Sequence, residues 1–159
     1  MLSRSRRVSS TRLGAGYAAS PCEGLPEAGA IWSKGQFDRK GLIPQIRDPR
    51  VRFFKGRFDE VLPKYTLPAH EVMVINLDSD IYSSAIYVLP HLREKIVAGT
   101  FVYFDEMNHM EHEPRAFDDF LRESRLKFRA VCADGTLAQV CFECVALSPG
   151  DRRGCCRVI

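Results

Sequence analysis

The 159-residue sequence has no apolar run approaching the roughly 18 residues that a membrane-spanning helix needs. Its first twenty residues lack the apolar core of a secretory signal. Charge of one sign is also scarce: the formal net charge is +3, too little to argue for a nucleic-acid partner. Much of that excess lies at the ends, since Arg4, Arg6, Arg7 and Arg12 precede the first acidic residue, Glu23, and Arg152, Arg153 and Arg157 crowd the last positions. No internal repeat is visible. The six cysteines include one C-x-x-C pair, Cys141 and Cys144, but no second pair to complete a zinc site. The stretch around that pair reads as a strand, whose alternation puts the two thiols on opposite faces. They therefore read as small buried apolar residues, and the chain as a reduced, intracellular and cytoplasmic protein.

What is present is a hydrophobic content of 45%, ordinary for a globular domain, and two apolar runs that break abruptly into acids. Val72–Leu77 is followed by Asp78-Ser79-Asp80, and Phe101–Phe104 by Asp105-Glu106. Runs of this length with almost no polar residues read as strands covered on both faces. Between them lies a helical segment that Ser83 or Ser84 can cap, interrupted at Pro90 and stopped at Gly99. Upstream, Arg50–Lys55 reads as a short strand and Phe58–Pro63 as a helical turn stopped by proline. Downstream, Pro114 opens a helix with Ala116, Phe117, Phe120 and Leu121 on one face. Phe128–Cys132 and Leu137–Val145 flank Asp134-Gly135, a hairpin signal. Strands alternating with helices predict an α/β domain with a parallel sheet and right-handed crossovers, closed by an antiparallel hairpin.

Ligands in such sheets sit beyond the carboxyl ends of the strands. Four carboxylates gathered there are costly unless a cation or a proton compensates them. Oxygen ligands of this kind suit a hard divalent ion such as magnesium. Asp78 and Asp105, at corresponding strand ends, are the best ligand candidates, and Glu106 completes the shell. Asp80, two residues beyond Asp78, projects on the same side if the chain stays extended, and is free to act as a base. A cation beside a substrate hydroxyl lowers its pKa, so that a neighbouring carboxylate can take the proton. His109 and His112 follow closely as lesser candidates. The bland alternative is that these acids cap helices and solvate loop ends.

These residues also carry a resemblance. Asn76-Leu77-Asp78-Ser79-Asp80-Ile81-Tyr82-Ser83-Ser84 and Val97–Glu106 resemble segments of the macrocin O-methyltransferase (TylF-like) family. So do Glu23-Gly24-Leu25-Pro26-Glu27, Val51–Phe58 with Leu62-Pro63, and Glu113-Pro114-Arg115-Ala116-Phe117. The resemblance implies a Rossmann-like class I methyltransferase that uses S-adenosylmethionine and magnesium to methylate a hydroxyl of a sugar or related small molecule. It implies Asp78, Asp105 and Glu106 as metal ligands and Asp80 as general base. It also implies a first strand and Gly-rich cofactor loop ahead of Glu23, where only about 20 unpatterned residues stand, fewer than the roughly 30 of a strand-helix-strand unit.

The expectation is thus the later half of the fold, with its first strands missing. Residues 1–20 are expected as a tail, 21–147 as a partial methyltransferase domain and 148–159 as a flexible end. No nucleic-acid or membrane partner is expected, but an exposed sheet edge invites pairing into an oligomer. Two other functions fit parts of the pattern: a glycosyltransferase that holds metal and sugar nucleotide through D-x-D, and a non-catalytic interaction module. Cys156-Arg157-Val158-Ile159 has the C-a-a-X form of a lipidation signal.

Overall fold

The computed structural model describes residues 16–145 except 21, 30 and 69. The tail beyond 147 and the C-a-a-X end lie outside the described residues. Among the described residues, six strands and three α-helices follow in the order β1 (Gly16–Ser20), β2 (Val51–Lys55), α1 (Phe58–Val61), β3 (Val74–Leu77), α2 (Tyr82–Leu92), β4 (Phe101–Phe104), α3 (Glu113–Ser124), β5 (Lys127–Ala133) and β6 (Val140–Val145). β1 and β2 pair in parallel as a two-stranded sheet. The other four form a sheet of order β3-β4-β6-β5, in which β3 and β4 are parallel and β6 is antiparallel to both β4 and β5. This is the expected crossover followed by a terminal hairpin.

Four local expectations require correction. Residues 16–20, assigned to the tail, form β1; Gly-Tyr-Ala-Ala-Ser has little strand propensity, and pairing with β2 overrides it. β3 is not covered on both faces. Its residues alternate between exposed and buried, with Val74 65% and neighbouring Val72 64% exposed, because α2 and α3 pack on the opposite face. α2 begins at Tyr82 with Ile81 at its cap position and no side-chain cap, so neither Ser83 nor Ser84 plays that part. It ends at Leu92 and passes into a 3-10 turn over Arg93–Lys95, well before Gly99. Pro90 falls in its last turn, where it removes one i to i−4 hydrogen bond just before the helix tightens into that 3-10 turn.

The core lies between the sheet and the two helices. Ile75 and Leu77 of β3, Val102 and Phe104 of β4, and Cys144 of β6 face Ala85, Val88 and Leu89 of α2 and Ala116, Phe117 and Phe120 of α3. Phe117 meets Phe104 and Phe142 at ring-centroid distances of 4.8 and 4.9 Å. Tilted aromatic pairs of this kind add about 0.5–1.5 kcal/mol each beyond their buried area. Cys144 is buried and Cys141 only half-buried, so strand alternation separates the C-x-x-C pair. No helix among the described residues is long and apolar enough to cross a membrane.

Candidate functional site

The parallel register pairs Leu77 with Phe104, so β3 and β4 end side by side. The ladder continues one step further, where the Asp105 N–H donates to the Leu77 carbonyl at 3.3 Å. Asp78 and Asp105 therefore leave the sheet at matching positions, as the two apolar runs imply. The β5–β6 turn comes up beside them. Gln139 Nε2 donates to Asp105 Oδ1 at 2.8 Å, and the Met107 N–H donates to the Ala138 carbonyl at 2.7 Å.

The chain does not stay extended after Asp78. Asp80 has a positive φ of 59°, and the Ile81 N–H donates to the Ser79 carbonyl at 2.7 Å. Such a three-residue turn around a non-glycine residue is sparsely populated, and its strain is of a kind that clusters at functional sites. The extended projection expected for Asp80 is thus replaced by a tight turn. Asp80 nevertheless remains within electrostatic reach of Asp78, Glu106 and Asp105.

The electrostatics record this convergence. Loss of water pushes the Asp80 carboxyl up to about 6, and the charges of Asp78, Glu106 and Asp105 push in the same direction while His109 opposes them. Asp78 is raised in the same way, first by the protein crowded around it and then by Asp105 and Glu106, although its side chain still reaches solvent. Glu106 Oε2 is buried, lies against His109 Nδ1, and accepts no hydrogen bond of normal geometry. The proposed ligands Asp78, Asp105 and Glu106 are brought together electrostatically but not to coordination distance. Among the described residues, no group of three or more His, Cys, Asp or Glu is placed to hold a metal ion. Their chemistry still fits one, since hard oxygen donors crowded at adjoining strand ends repel one another until positive charge relieves them. His112 is engaged elsewhere, since the Tyr82 N–H at the start of α2 donates to its Nδ1 at 3.3 Å.

One residue that sequence reasoning missed as a site component holds the loops together. Glu113, the first residue of α3, is 0% exposed. Its Oε1 accepts from the Ser79 N–H at 2.9 Å and the Ser79 hydroxyl at 3.1 Å, and its Oε2 from the Glu106 N–H at 3.1 Å. Burial raises its pKa and the hydrogen bonds from Ser79 and Glu106 pull it back. One carboxylate thus clasps the turn after β3 to the turn after β4. The available signal was its place on the apolar stripe of α3, with Ala116, Phe117 and Phe120 at helical spacing.

A cavity of about 240 Å³ opens beside Asp78 and Asp80, bounded by Leu25, Phe37, Arg57 and Tyr87. Its outer wall is the loop of residues 23–27, bonded to the next turn by Leu25 N–H to Gln36 carbonyl (3.0 Å) and Gly35 N–H to Leu25 carbonyl (2.9 Å). Gly24 is required there: its φ is +78°, and a Cβ would run into the Gly35 carbonyl.

The chain is 33% identical over 70 residues to mycinamicin III 3''-O-methyltransferase of Micromonospora griseorubida, a match covering 44% of this chain and 25% of that protein. Its fold is similar to that of the O-methyltransferase NovP, with a TM-score of 0.63 at 20% identity, over 86% of this chain and 62% of the other. It is also similar to CalS11, a calicheamicin methyltransferase, with a TM-score of 0.59 at 19% identity, over 80% and 59% of the two chains. The chain therefore spans a quarter of that enzyme from Micromonospora and about three fifths of the solved structures. The family profile described as macrocin-O-methyltransferase (TylF) matches residues 33–138, and by that match the chain belongs to the TylF family.

Proposed function

We propose that this chain carries the acceptor side of an S-adenosylmethionine-dependent O-methyltransferase acting on a hydroxyl of a sugar or related small molecule. The observation that carries this reading is the raised pKa of Asp80, about 6, beside three further carboxylates at the ends of β3 and β4. A carboxylate with a pKa close to neutrality is matched to proton transfer. The name of the Micromonospora relative, mycinamicin III 3''-O-methyltransferase, supports a hydroxyl acceptor. The family assignment replaces the glycosyltransferase reading of D-x-D.

In this mechanism Asp78, Asp105 and Glu106 would hold the divalent cation. When bound, magnesium supplies positive charge next to the acceptor oxygen, and S-adenosylmethionine supplies a methyl group on a sulfonium. Asp80 would take the proton of the acceptor hydroxyl and so leave an oxygen nucleophile for the methyl group that the cofactor would supply. Gln139 fixes one oxygen of Asp105, and Glu113 fixes the two loops. The cavity of about 240 Å³ is below the roughly 300 Å³ of a typical small-molecule pocket, enough for part of a ligand such as one sugar ring.

Isothermal titration with magnesium and with S-adenosylmethionine, followed by transfer of labelled methyl to a sugar-bearing acceptor, tests the proposal. Magnesium binding that weakens at least tenfold in both Asp78→Asn and Asp105→Asn is expected. Equal binding in wild type and variants would remove the metal site. A second reading is favoured by the exposed Val74 on β3 and Val72 just ahead of it: a non-catalytic module that pairs through this edge or face, including with a second copy. Absence of methyl transfer together with a dimer in light scattering would select it.

A further inference from the structure

The spacing Cys141-x-x-Cys144 suggests a pair that the fold takes apart. Cys144 points into the core at 2% exposure, and Cys141 points to the other face of β6. On that face the residue directly opposite Cys141 is Cys132 of β5. The register shifts between Ala130 and Cys132, so a bulge delivers Cys132 to this position. Directly opposed residues on antiparallel strands have Cα atoms about 4.5 or 5.5 Å apart, depending on the kind of site. Both values fall within the roughly 4.4–6.8 Å that a disulfide spans.

The side chains also meet. Burial pushes the Cys141 thiol up, and the Cys132 thiol beside it pushes further through charge and a side-chain hydrogen bond. Cys132 is exposed and Cys141 half-buried, and both are free thiols in this structure. The pair flanks the turn that carries Gln139, the residue that reaches from the hairpin to Asp105. Closure would tie the base of the turn that presents that contact.

We propose that Cys132 and Cys141 form a thiol–disulfide exchange site that closes a cross-strand disulfide with a low-molecular-weight disulfide such as oxidised glutathione. Cys132, the more accessible thiol, loses its proton to solvent and attacks one glutathione sulfur. The glutathione S–S bond breaks and one glutathione thiolate leaves. Cys141, deprotonated in turn, attacks the Cys132 sulfur and displaces the second glutathione. Two protein thiols are oxidised to one disulfide, and one small disulfide is reduced to two thiols. Cys144 takes no part, because it faces the opposite side of the strand and is covered by the core.

The test uses the full chain, incubated with oxidised glutathione at mildly alkaline pH, alkylated and mapped by mass spectrometry after digestion. A peptide pair joined through Cys132 and Cys141 is expected, with Cys144 alkylated only after unfolding and the link reversed by dithiothreitol. Cys141→Ser should retain a stable glutathione adduct on Cys132, because the resolving thiol is gone. Cys132→Ser should lose the link altogether. A persistent adduct on wild-type Cys132, no reaction, or a disulfide recruiting Cys22, Cys155 or Cys156 in place of Cys141 would overturn the proposal.

Discussion

Replacing Asp80 by Asn probes the repulsion among the carboxylates directly. The Asp80 carboxyl is raised from 3.8 to about 6. Two pKa units correspond to about 3 kcal/mol. Asp80 is only partly buried, and water screens about half of that, leaving about 1.5 kcal/mol. Because its folded pKa is raised, the folded chain keeps a proton that the unfolded chain releases between about pH 4 and pH 6. Wild-type stability therefore falls as pH rises through that window, and the full cost is present above it. The amide carries no such cost, and Asn tolerates the left-handed backbone at this position. In urea denaturation the variant should match wild type near pH 4 and exceed it by about 1.5 kcal/mol near pH 7.5. Saturating magnesium should narrow the gap, since wild type has more repulsion to relieve. A variant no more stable than wild type near pH 7.5, or a gap that does not change with pH, would refute the reasoning.

Glu113→Gln places an NH2 against backbone and hydroxyl donors, and should cost about 1–3 kcal/mol in denaturant unfolding, with weaker magnesium binding in titration. A neutral outcome in both would remove the clasp from the site. Val74→Lys should change stability by less than about 0.5 kcal/mol, because that side chain faces away from the core. A loss of about 2 kcal/mol or more in the same assay would mean that this face is covered in solution.

The strand ends were legible in the sequence because an apolar run that breaks into acids is a local signal. Asp78 and Asp105 needed only the inference that their strands are neighbours, and the Leu77–Phe104 register supplies it. The turn at Asp80 was not legible, since Ser-Asp-Ile has no residue that demands a positive φ; the turn is imposed where β3 hands over to α2. The clasp was hidden for a different reason. Glu113 looks like an ordinary first-turn acid at a helix N-terminus, and only the tertiary fold shows that it turns inward to Ser79. β1 was missed because its pairing with β2 crosses a long stretch of loop. The exposed face of β3 was missed because a run of apolar residues says how strongly a strand can be covered, not whether both layers are there.

The clasp has a further consequence for how the site forms. The Glu113 carboxylate joins a partner 34 positions away to one only 7 away. A chain with only the nearer loop docked would leave half of a buried charge unsatisfied, which is more costly than leaving the whole group in water. The two acidic turns are therefore gained and lost together, and on heating the site should disappear with the core instead of fraying ahead of it.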